Sequence, residues 1–575
     1  MNTWIKKNFN SILLIFILLQ PILDVITGIG IHVWHTNITI GIIVRMLFLV
    51  FILYSVVFVY KRKKSLIFYA ILVIYGILYM AGMLIYKDGV GLFSEIQGLC
   101  RVFYFPVLLI SLYSIKDEIK ISKMTLMVVL TTYLVCILVP NCLNLGFKTY
   151  EITKAGTLGF FNSANEISGI ISILTPIMIL ILVNKKKILL TLIIGLIYLY
   201  VILTIGTKTP LLSLGITIFF TYLWFIHQEI KLKRVKRVAI SIILLIIFIA
   251  GMIIILPKTN FYKNIETHLE FLEVDNITEV FQDKKLIDHF IFSERLTFLE
   301  NRYKDYKEEN GYLQLFGIGY LKDGNDTKAI EMDYFDIYYS HGMVGFIIYF
   351  GIYGYFFYLI MKNRKKLDFT QYMLYISIVL SVLLSFITGH IITAPAVSIL
   401  LIVLLLLLEK NTYERILFIG NDLNIDRPLE NKIKMIDTKK YQMDFLLVTK
   451  KIKQKNKLQR EIKIMKYAKS SSTNKIIQTI SNTLKLFWYQ IINYQMYDKC
   501  YCYQEYDELK NTLGKISSPY YNIYIDKTNR KRKELMIGLP TDNIKHIIFK
   551  TEKDRKEFLN NNPELKEKCL LLENV

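Results

Sequence analysis

The stretch Thr39-Ile-Gly-Ile-Ile-Val-Arg45-Met-Leu-Phe-Leu-Val-Phe-Ile-Leu-Tyr-Ser55-Val-Val-Phe-Val-Tyr60 is followed at once by Lys61-Arg62-Lys63-Lys64. Its apolar run carries one charge, Arg45. At 1.5 Å rise per residue a helix of this length covers ~30 Å, the thickness of a bilayer's hydrocarbon core. The basic cluster marks the end that stays on the cytoplasmic side.

The same unit recurs along the chain. Runs at 11–30, 39–60, 66–86, 95–115, 124–140, 167–183, 188–204, 208–227, 237–256, 337–361, 370–389 and 394–409 predict about twelve transmembrane helices. The first contains Gln20-Pro21 and no small-residue cleavage site, so it reads as a retained span and not as a signal peptide. With the N-terminus inside, the even loops carry Lys61 to Lys64, Lys120 with Lys123, Lys185 to Lys187, Lys231 to Arg237, and Lys362 with Arg364 to Lys366. The odd loops carry few charges. This alternation predicts a multi-pass protein of a cytoplasmic membrane with both termini cytoplasmic.

Composition agrees. The 575 residues are 53% hydrophobic and 20% charged, against ~45–50% and ~25% in soluble chains. Disorder is excluded by hydrophobicity, and six cysteines without a CxxC pair give little support to a disulfide scaffold or a zinc site. The expected fold is an all-α polytopic bundle over residues 1–410, with a cytoplasmic α/β domain over 411–575.

One loop stands apart. Residues 257–336 carry ten Lys and Arg against seventeen Asp and Glu, although the whole chain is +23. A helical piece is expected from Phe281 to Lys304, and a tight Gly-rich turn at Phe316-Gly-Ile-Gly-Tyr320. An insertion of this length on the extracytoplasmic side points to binding or chemistry there. Four cations approach the same side: Arg45, Arg101, Lys208 in Gly206-Thr-Lys-Thr-Pro210, and Arg295 in the loop. A charge in a span costs ~2.5–3.5 kcal/mol on insertion scales and therefore faces a cavity or a partner. Arginine forks suit phosphate oxygens, so a converging set suits a lipid-linked diphosphate. Snorkelling, or pairing of Arg45 and Arg101 with Asp24 and Glu95, is the structural alternative, and an interfacial anchor is that of Lys208.

Two stretches carry a resemblance. One is Gly156-Thr-Leu-Gly-Phe-Phe-Asn162-Ser-Ala-Asn165-Glu166. The other starts at Arg295, passes Leu315 to Tyr320, and ends in Glu331-Met-Asp333-Tyr-Phe-Asp-Ile-Tyr-Tyr-Ser-His341-Gly-Met-Val-Gly345. With the long loop, they resemble the O-antigen ligase/polymerase-like family of bacterial membrane glycosyltransferases. The resemblance implies polymerisation or ligation of glycan repeat units carried on polyprenyl diphosphate, for capsular, wall or exopolysaccharide synthesis. It implies transfer to a glycan acceptor without metal, and no cofactor is expected; direct in-line attack of an acceptor hydroxyl on the anomeric carbon, with polyprenyl diphosphate leaving, predicts inversion. Arg45, Arg101, Lys208 and Arg295 would grip the diphosphate, and Asn162 and Asn165 the glycan. Glu331, or else Asp333, would accept the acceptor's proton. Glu331 stands where ligases of the family have histidine, which favours a polymerase. Helix capping by the asparagines and helix-dipole complementation by Glu331 and Asp333 are the structural alternatives. His341 reads as a packing histidine.

The tail holds thirty-two Lys and Arg against twenty Asp and Glu. This surplus is assigned to anionic lipid and not to nucleic acid. Strands at 416–420, 445–448, 545–549 and 569–572, with helices at 427–436 and 552–560, predict a parallel α/β sheet. The tail resembles the N-terminal half of a two-domain GT-B family 4 glycosyltransferase. It lacks the expected Gly-rich turn after its first strand, and the chain stops at Val575 where the nucleotide-sugar half would begin. No independent transferase activity is expected; an acceptor-side remnant, a docking module for other polysaccharide-assembly proteins, and half of an enzyme completed by a separate chain are the alternatives. A lipid-linked glycan transporter or a scaffold for other transferases remains open on the residues alone.

Overall fold

The computed structural model describes residues 2–36, 39–87, 91–149, 156–184, 188–231, 234–274, 277–322, 325–326, 329–362 and 368–410, and in the tail 414–420, 441–448, 463–467, 499–502, 521–525, 544–549, 551–561 and 563–571. The chain divides into two compact units, residues 1–119 with 125–409, and 120–124 with 410–575.

Every predicted apolar run is a helix. In order they are α1 (Asn2–His32), α2 (Ile40–Tyr54, continued by a π turn Ser55–Val59), α3 (Lys63–Tyr86), α4 (Leu92–Ser114), α5 (Lys123–Cys142), α6 (Ala164–Asn184), α7 (Ile188–Ile205), α8 (Lys208–Lys231) and α9 (Val235–Ile255). After the long loop come α15 (Asp333–Lys362), α16 (Phe369–Ile387) and α17 (Pro395–Lys410). Among the described residues ten are long and apolar enough to cross a membrane, and the apolar parts of α7 and α17 are shorter. Of the twelve expected spans, ten meet this length among the described residues and two are shorter apolar helices.

Burial separates the roles of these helices. Helix α17 is apolar on all sides, and Val397 and Ile399 to Leu408 are all buried, as a helix without a polar face must be. Helix α6 is the most enclosed span, packing against α8 and α16. At the other extreme, α9 buries none of its apolar window. That surface is unfavourable in water and suits hydrocarbon.

The long loop folds into short helices: α10 (Asn260–Phe271), α11 (Ile277–Val280), α12 (Lys284–Ile287), α13 (Arg295–Glu308) and α14 (Gly311–Phe316), with a two-residue hairpin of β1 (Leu321–Lys322) on β2 (Asn325–Asp326). The single helix expected over 281–304 is interrupted. Ser293 and Glu294 both take left-handed backbone (φ 53° and 66°). Asp288 then caps the new helix, accepting Leu296 N at 2.8 Å, Thr297 N at 2.9 Å and the Thr297 hydroxyl at 2.7 Å. Three donors on one carboxylate satisfy N–H groups that the break exposes. The break also starts α13 at Arg295.

In the second unit seven parallel strands are described: β3 (Glu414–Gly420), β4 (Tyr441–Val448), β5 (Lys463–Tyr467), β6 (Lys499–Cys502), β7 (Tyr521–Ile525), β8 (Ile544–Phe549) and β9 (Cys569–Leu571). Their order is β5-β4-β3-β6-β7-β8-β9. Helix α18 (Glu552–Asn561) packs Phe558 on Phe549, ring centroids 5.2 Å apart. The four strands and the last helix read from the sequence are present. Strands β5, β6 and β7 were not foreseen: Lys463-Ile-Met-Lys-Tyr467 and Lys499-Cys-Tyr-Cys502 are short and lysine-bearing, without a long apolar run. The helix expected at 427–436 lies outside the described residues.

Candidate active site

The site begins with a break in α15. Gly342 has φ 67° and ψ −179°, so the helix opens after His341. The carbonyls this frees are taken by the Gly-rich turn. Tyr339 O accepts Ile318 N at 3.0 Å, and Ser340 O accepts Gly319 N at 3.1 Å. Only glycine fits at 317: its φ is +115°, and a Cβ there would lie 2.2 Å from Ser340 O. The seated turn carries Tyr320, whose hydroxyl lies 2.7 Å from His341 Nε2. The Tyr75 hydroxyl is 3.2 Å from His341 Nδ1. His341 is buried between tyrosines, a packing histidine as read from the sequence.

Glu331 precedes α15 with left-handed backbone (φ 61°), a conformation that costs a non-glycine residue energy and recurs at functional sites. Its carboxylate collects groups from three other segments. Arg295 Nη2 at the start of α13 donates at 2.8 Å to Oε2, and Asn165 Nδ2 in the first turn of α6 donates to the same oxygen at 3.3 Å. His390 Nε2, in the segment between α16 and α17, stands 4.0 Å from Oε1. The His390 imidazole and the Arg295 guanidinium hold the Glu331 carboxyl down at about 2, against the opposing effect of burial. A carboxylate stabilised this far is a poor proton acceptor near neutral pH.

Asp333 is used differently. Its Oδ1 accepts His390 N at 2.9 Å and the Thr393 hydroxyl at 2.6 Å, and its Oδ2 accepts Ile391 N and Ile392 N, each at 2.9 Å. It is 1% exposed. With both oxygens engaged twice, Asp333 fastens the 390–393 backbone to the start of α15. Next to it, Gly389 (φ +61°) lets the chain pass Glu331 O, where a Cβ would approach to 2.3 Å.

A cavity of about 60 Å³ lies beside this cluster, lined by Arg101, Arg302, Tyr320, Asp336, Ser340 and His390 among others. That is room for about two waters, so a larger anion enters only by displacing side chains. Arg101 is exposed, and its Nη2 lies 3.2 Å from His390 Nδ1. Arg302 is buried and donates to Gly319 O. On the other side of α4, an open apolar groove of about 650 Å³ runs along α3 from Leu84 to Tyr69, with Leu99, Phe103 and Val107 of α4 as its second wall.

The residues singled out in the sequence therefore separate. Arg295, Glu331, Asn165 and Arg101 meet in one cluster through direct contacts and His390. Lys208 donates to Phe290 O and lies 4.0 Å from the centre of that ring, tying the start of α8 to the loop two residues before Phe292, whose carbonyl Arg295 Nη1 also binds. Arg45 is elsewhere. It is buried, paired with Asp24, and bonded to Gln20 Oε1 at 3.0 and 3.1 Å, while Tyr133 donates to Asp24 at 2.5 Å. Of the two pairings weighed on the sequence, Arg45 with Asp24 forms. Glu95 instead accepts Tyr79 and, at 2.9 Å, Tyr320 N. Asn162 is exposed, and the cap of α6 is Ser163, whose hydroxyl accepts Glu166 N at 3.3 Å.

Two residues escaped the sequence reading. Arg302 is seven residues after Arg295, the spacing that puts two side chains on one helix face. Arg295 and Arg302 are the buried residues of α13, so that spacing was a usable signal. His390 sits in the short link Thr388-Gly-His-Ile-Ile-Thr-Ala-Pro395, where only the fold reveals its neighbour.

Residues 6–412 match the family described as O-antigen ligase like membrane protein. No curated protein matches the chain. The matched segment contains every residue of the site just described, and the chain belongs to the O-antigen ligase-like membrane protein family.

Proposed function

We propose that the protein transfers glycan repeat units from a polyprenyl-diphosphate carrier to a glycan acceptor at the outer face of a bacterial cytoplasmic membrane, as a polymerase or ligase in capsular, wall or exopolysaccharide synthesis. The observation that carries this reading is the meeting of Arg295, Glu331, Asn165, His390 and Arg101 where the long loop closes on the helix ends. Guanidinium groups at a cavity rim stabilise the charge that appears on a departing diphosphate, the electrostatic contribution that usually dominates such catalysis. Asn165 offers hydrogen bonds to sugar. The apolar groove along α3 and α4 suits an isoprenoid chain.

The transfer is a direct displacement. An acceptor hydroxyl attacks the anomeric carbon, the diphosphate leaves from the opposite face, and the configuration inverts. The reaction is assigned no metal or cofactor. The alternation of loop charges supports cytoplasmic termini. The parallel strand order of the tail is compatible with a glycosyltransferase-like α/β module, for which a docking role towards other assembly proteins is proposed.

The test is purified protein in nanodiscs with a defined undecaprenyl-diphosphate-linked oligosaccharide. Longer glycan and released undecaprenyl diphosphate are expected, and loss of both on Arg295→Ala. Movement of the intact lipid-linked oligosaccharide across the bilayer with no bond made would replace this reading with a transporter.

A further inference from the structure

Glu331 is the acidic centre of the site, yet its surroundings make it a weak base. Arg295 and Asn165 both donate to it. The imidazole behind it is the other group there that can accept a proton. His390 Nε2 faces Glu331 Oε1 at 4.0 Å, and Nδ1 faces Arg101 Nη2 at 3.2 Å. A guanidinium has donors and no acceptor. In this arrangement Nδ1 therefore receives a hydrogen bond, and the ring proton sits on Nε2, turned towards the carboxylate. A carboxylate behind an imidazole fixes the tautomer that a base requires and stabilises the cation it becomes. The ring is also held in place: Asp333 clamps the backbone of residues 390–392, and His390 itself has φ 54°.

What covers Nδ1 is Arg101, which is exposed and lines the cavity with Arg302. An anion in that cavity competes for the guanidinium. Building on the glycosyl-transfer reading, we propose that His390 Nδ1 accepts the proton of the acceptor hydroxyl, that Glu331 orients the ring, and that the donor's diphosphate uncovers Nδ1 by drawing Arg101 onto itself. The deprotection of the base is thereby tied to the presence of the leaving group. Without donor, Nδ1 stays capped.

The step balances. The hydroxyl proton passes to Nδ1 as its oxygen forms the bond to the anomeric carbon. The bond from that carbon to the diphosphate oxygen breaks, and its electron pair leaves on the diphosphate, facing Arg101 and Arg302. The imidazolium, paired with Glu331, then gives its proton to water. The charged groups around the ring are Glu331 ahead of α15, Arg101 from α4, Asp333 and Asp336 from α15, Arg302 from α13 and Glu166 from α6. Burial is the largest single influence and opposes a charged ring, but Glu331, Asp333 and Glu166 together raise His390 above the ordinary histidine value.

The experiment uses the full chain in nanodiscs and an undecaprenyl-diphosphate-linked oligosaccharide, reading release of undecaprenyl diphosphate. His390→Ala is expected to lower kcat by about 10²- to 10⁴-fold, with the donor KM changed little, and imidazole in the buffer to restore part of the loss. His390→Gln, which keeps an acceptor for Arg101 but is no base, should be as slow and gain nothing from a well-folded site. Glu331→Gln should move the acid limb of the kcat–pH profile to lower pH, because the ring loses the charge that raises its basicity; a merely structural carboxylate would leave that limb in place. Turnover by His390→Gln near the wild-type rate, or a His390→Ala loss that imidazole does not relieve in protein with wild-type melting, overturns the assignment. An inactive wild type is a different result and removes the glycosyl-transfer reading on which this inference rests.

Discussion

Replacing Asp333 by asparagine separates a backbone clamp from a catalytic acid. The wild-type carboxylate accepts four hydrogen bonds, two on each oxygen, from three amides and the Thr393 hydroxyl. Asparagine keeps one accepting oxygen. Its best placement leaves that oxygen on Ile391 N and Ile392 N and turns the NH2 towards Thr393, whose hydroxyl can reverse and accept. His390 N then has no acceptor. A buried unsatisfied amide costs ~1–3 kcal/mol, and the two retained bonds each lose ~1 kcal/mol of charge assistance, since bonds to charged groups contribute ~1.5–3 against ~0.5–1.5 kcal/mol for neutral ones. The total is ~3–5 kcal/mol, concentrated on residues 390–393. The assay is amide hydrogen exchange by mass spectrometry in nanodiscs. At 1.4 kcal/mol per tenfold, exchange at 390–392 should accelerate by about 10²- to 10³-fold or more, while distant spans keep their protection. Unchanged exchange at these amides together with lost turnover would refute the clamp and return Asp333 to the chemistry.

Gly317→Ala should unseat the Gly-rich turn from the gap in α15, because its Cβ would meet Ser340 O at 2.2 Å in a backbone at φ +115°; limited proteolysis of the 311–322 segment should rise, and an unchanged digestion pattern would argue against the fit. Arg45→Gln and Asp24→Asn should each lower thermal stability by ~3–5 kcal/mol, as expected when one partner of a buried pair is removed, while the double variant loses less than the sum. Additive losses would show that the pair is not coupled. For Glu331 the sign is set by its depressed folded value, about 2 against an ordinary 4.5. Its attractions are intact above about 4.5 and disappear as the pH falls towards 2. Melting temperature should therefore drop through that window in the wild type, and the drop should shrink in Glu331→Gln. Equal acid sensitivity in both would place the effect elsewhere.

The order of apolar runs and basic clusters is enough to establish the membrane bundle, the long loop and the change of composition near residue 410. Such signals are local: twenty apolar residues have one economical way to satisfy their backbone in lipid, as a helix. Arg295, Glu331 and Asn165 were also legible, because they lie in short stretches whose order along the chain carries the family resemblance. Other features were decided by the tertiary structure. Arg45 and Arg101 looked equivalent in sequence, each a cation near the same end of a span. Packing gave Arg45 the Asp24 carboxylate of α1, 21 residues away in the chain, and gave Arg101 the imidazole of His390, 289 residues away. A buried charge takes whatever partner the fold delivers, and that depends on helix neighbours that no local pattern encodes. The break of α13 from α12 and the seating of the Gly-rich turn in α15 have the same origin. The glycines show that a sharp conformation is permitted; which carbonyls they approach is set by a helix gap that exists only once the loop has folded onto the bundle.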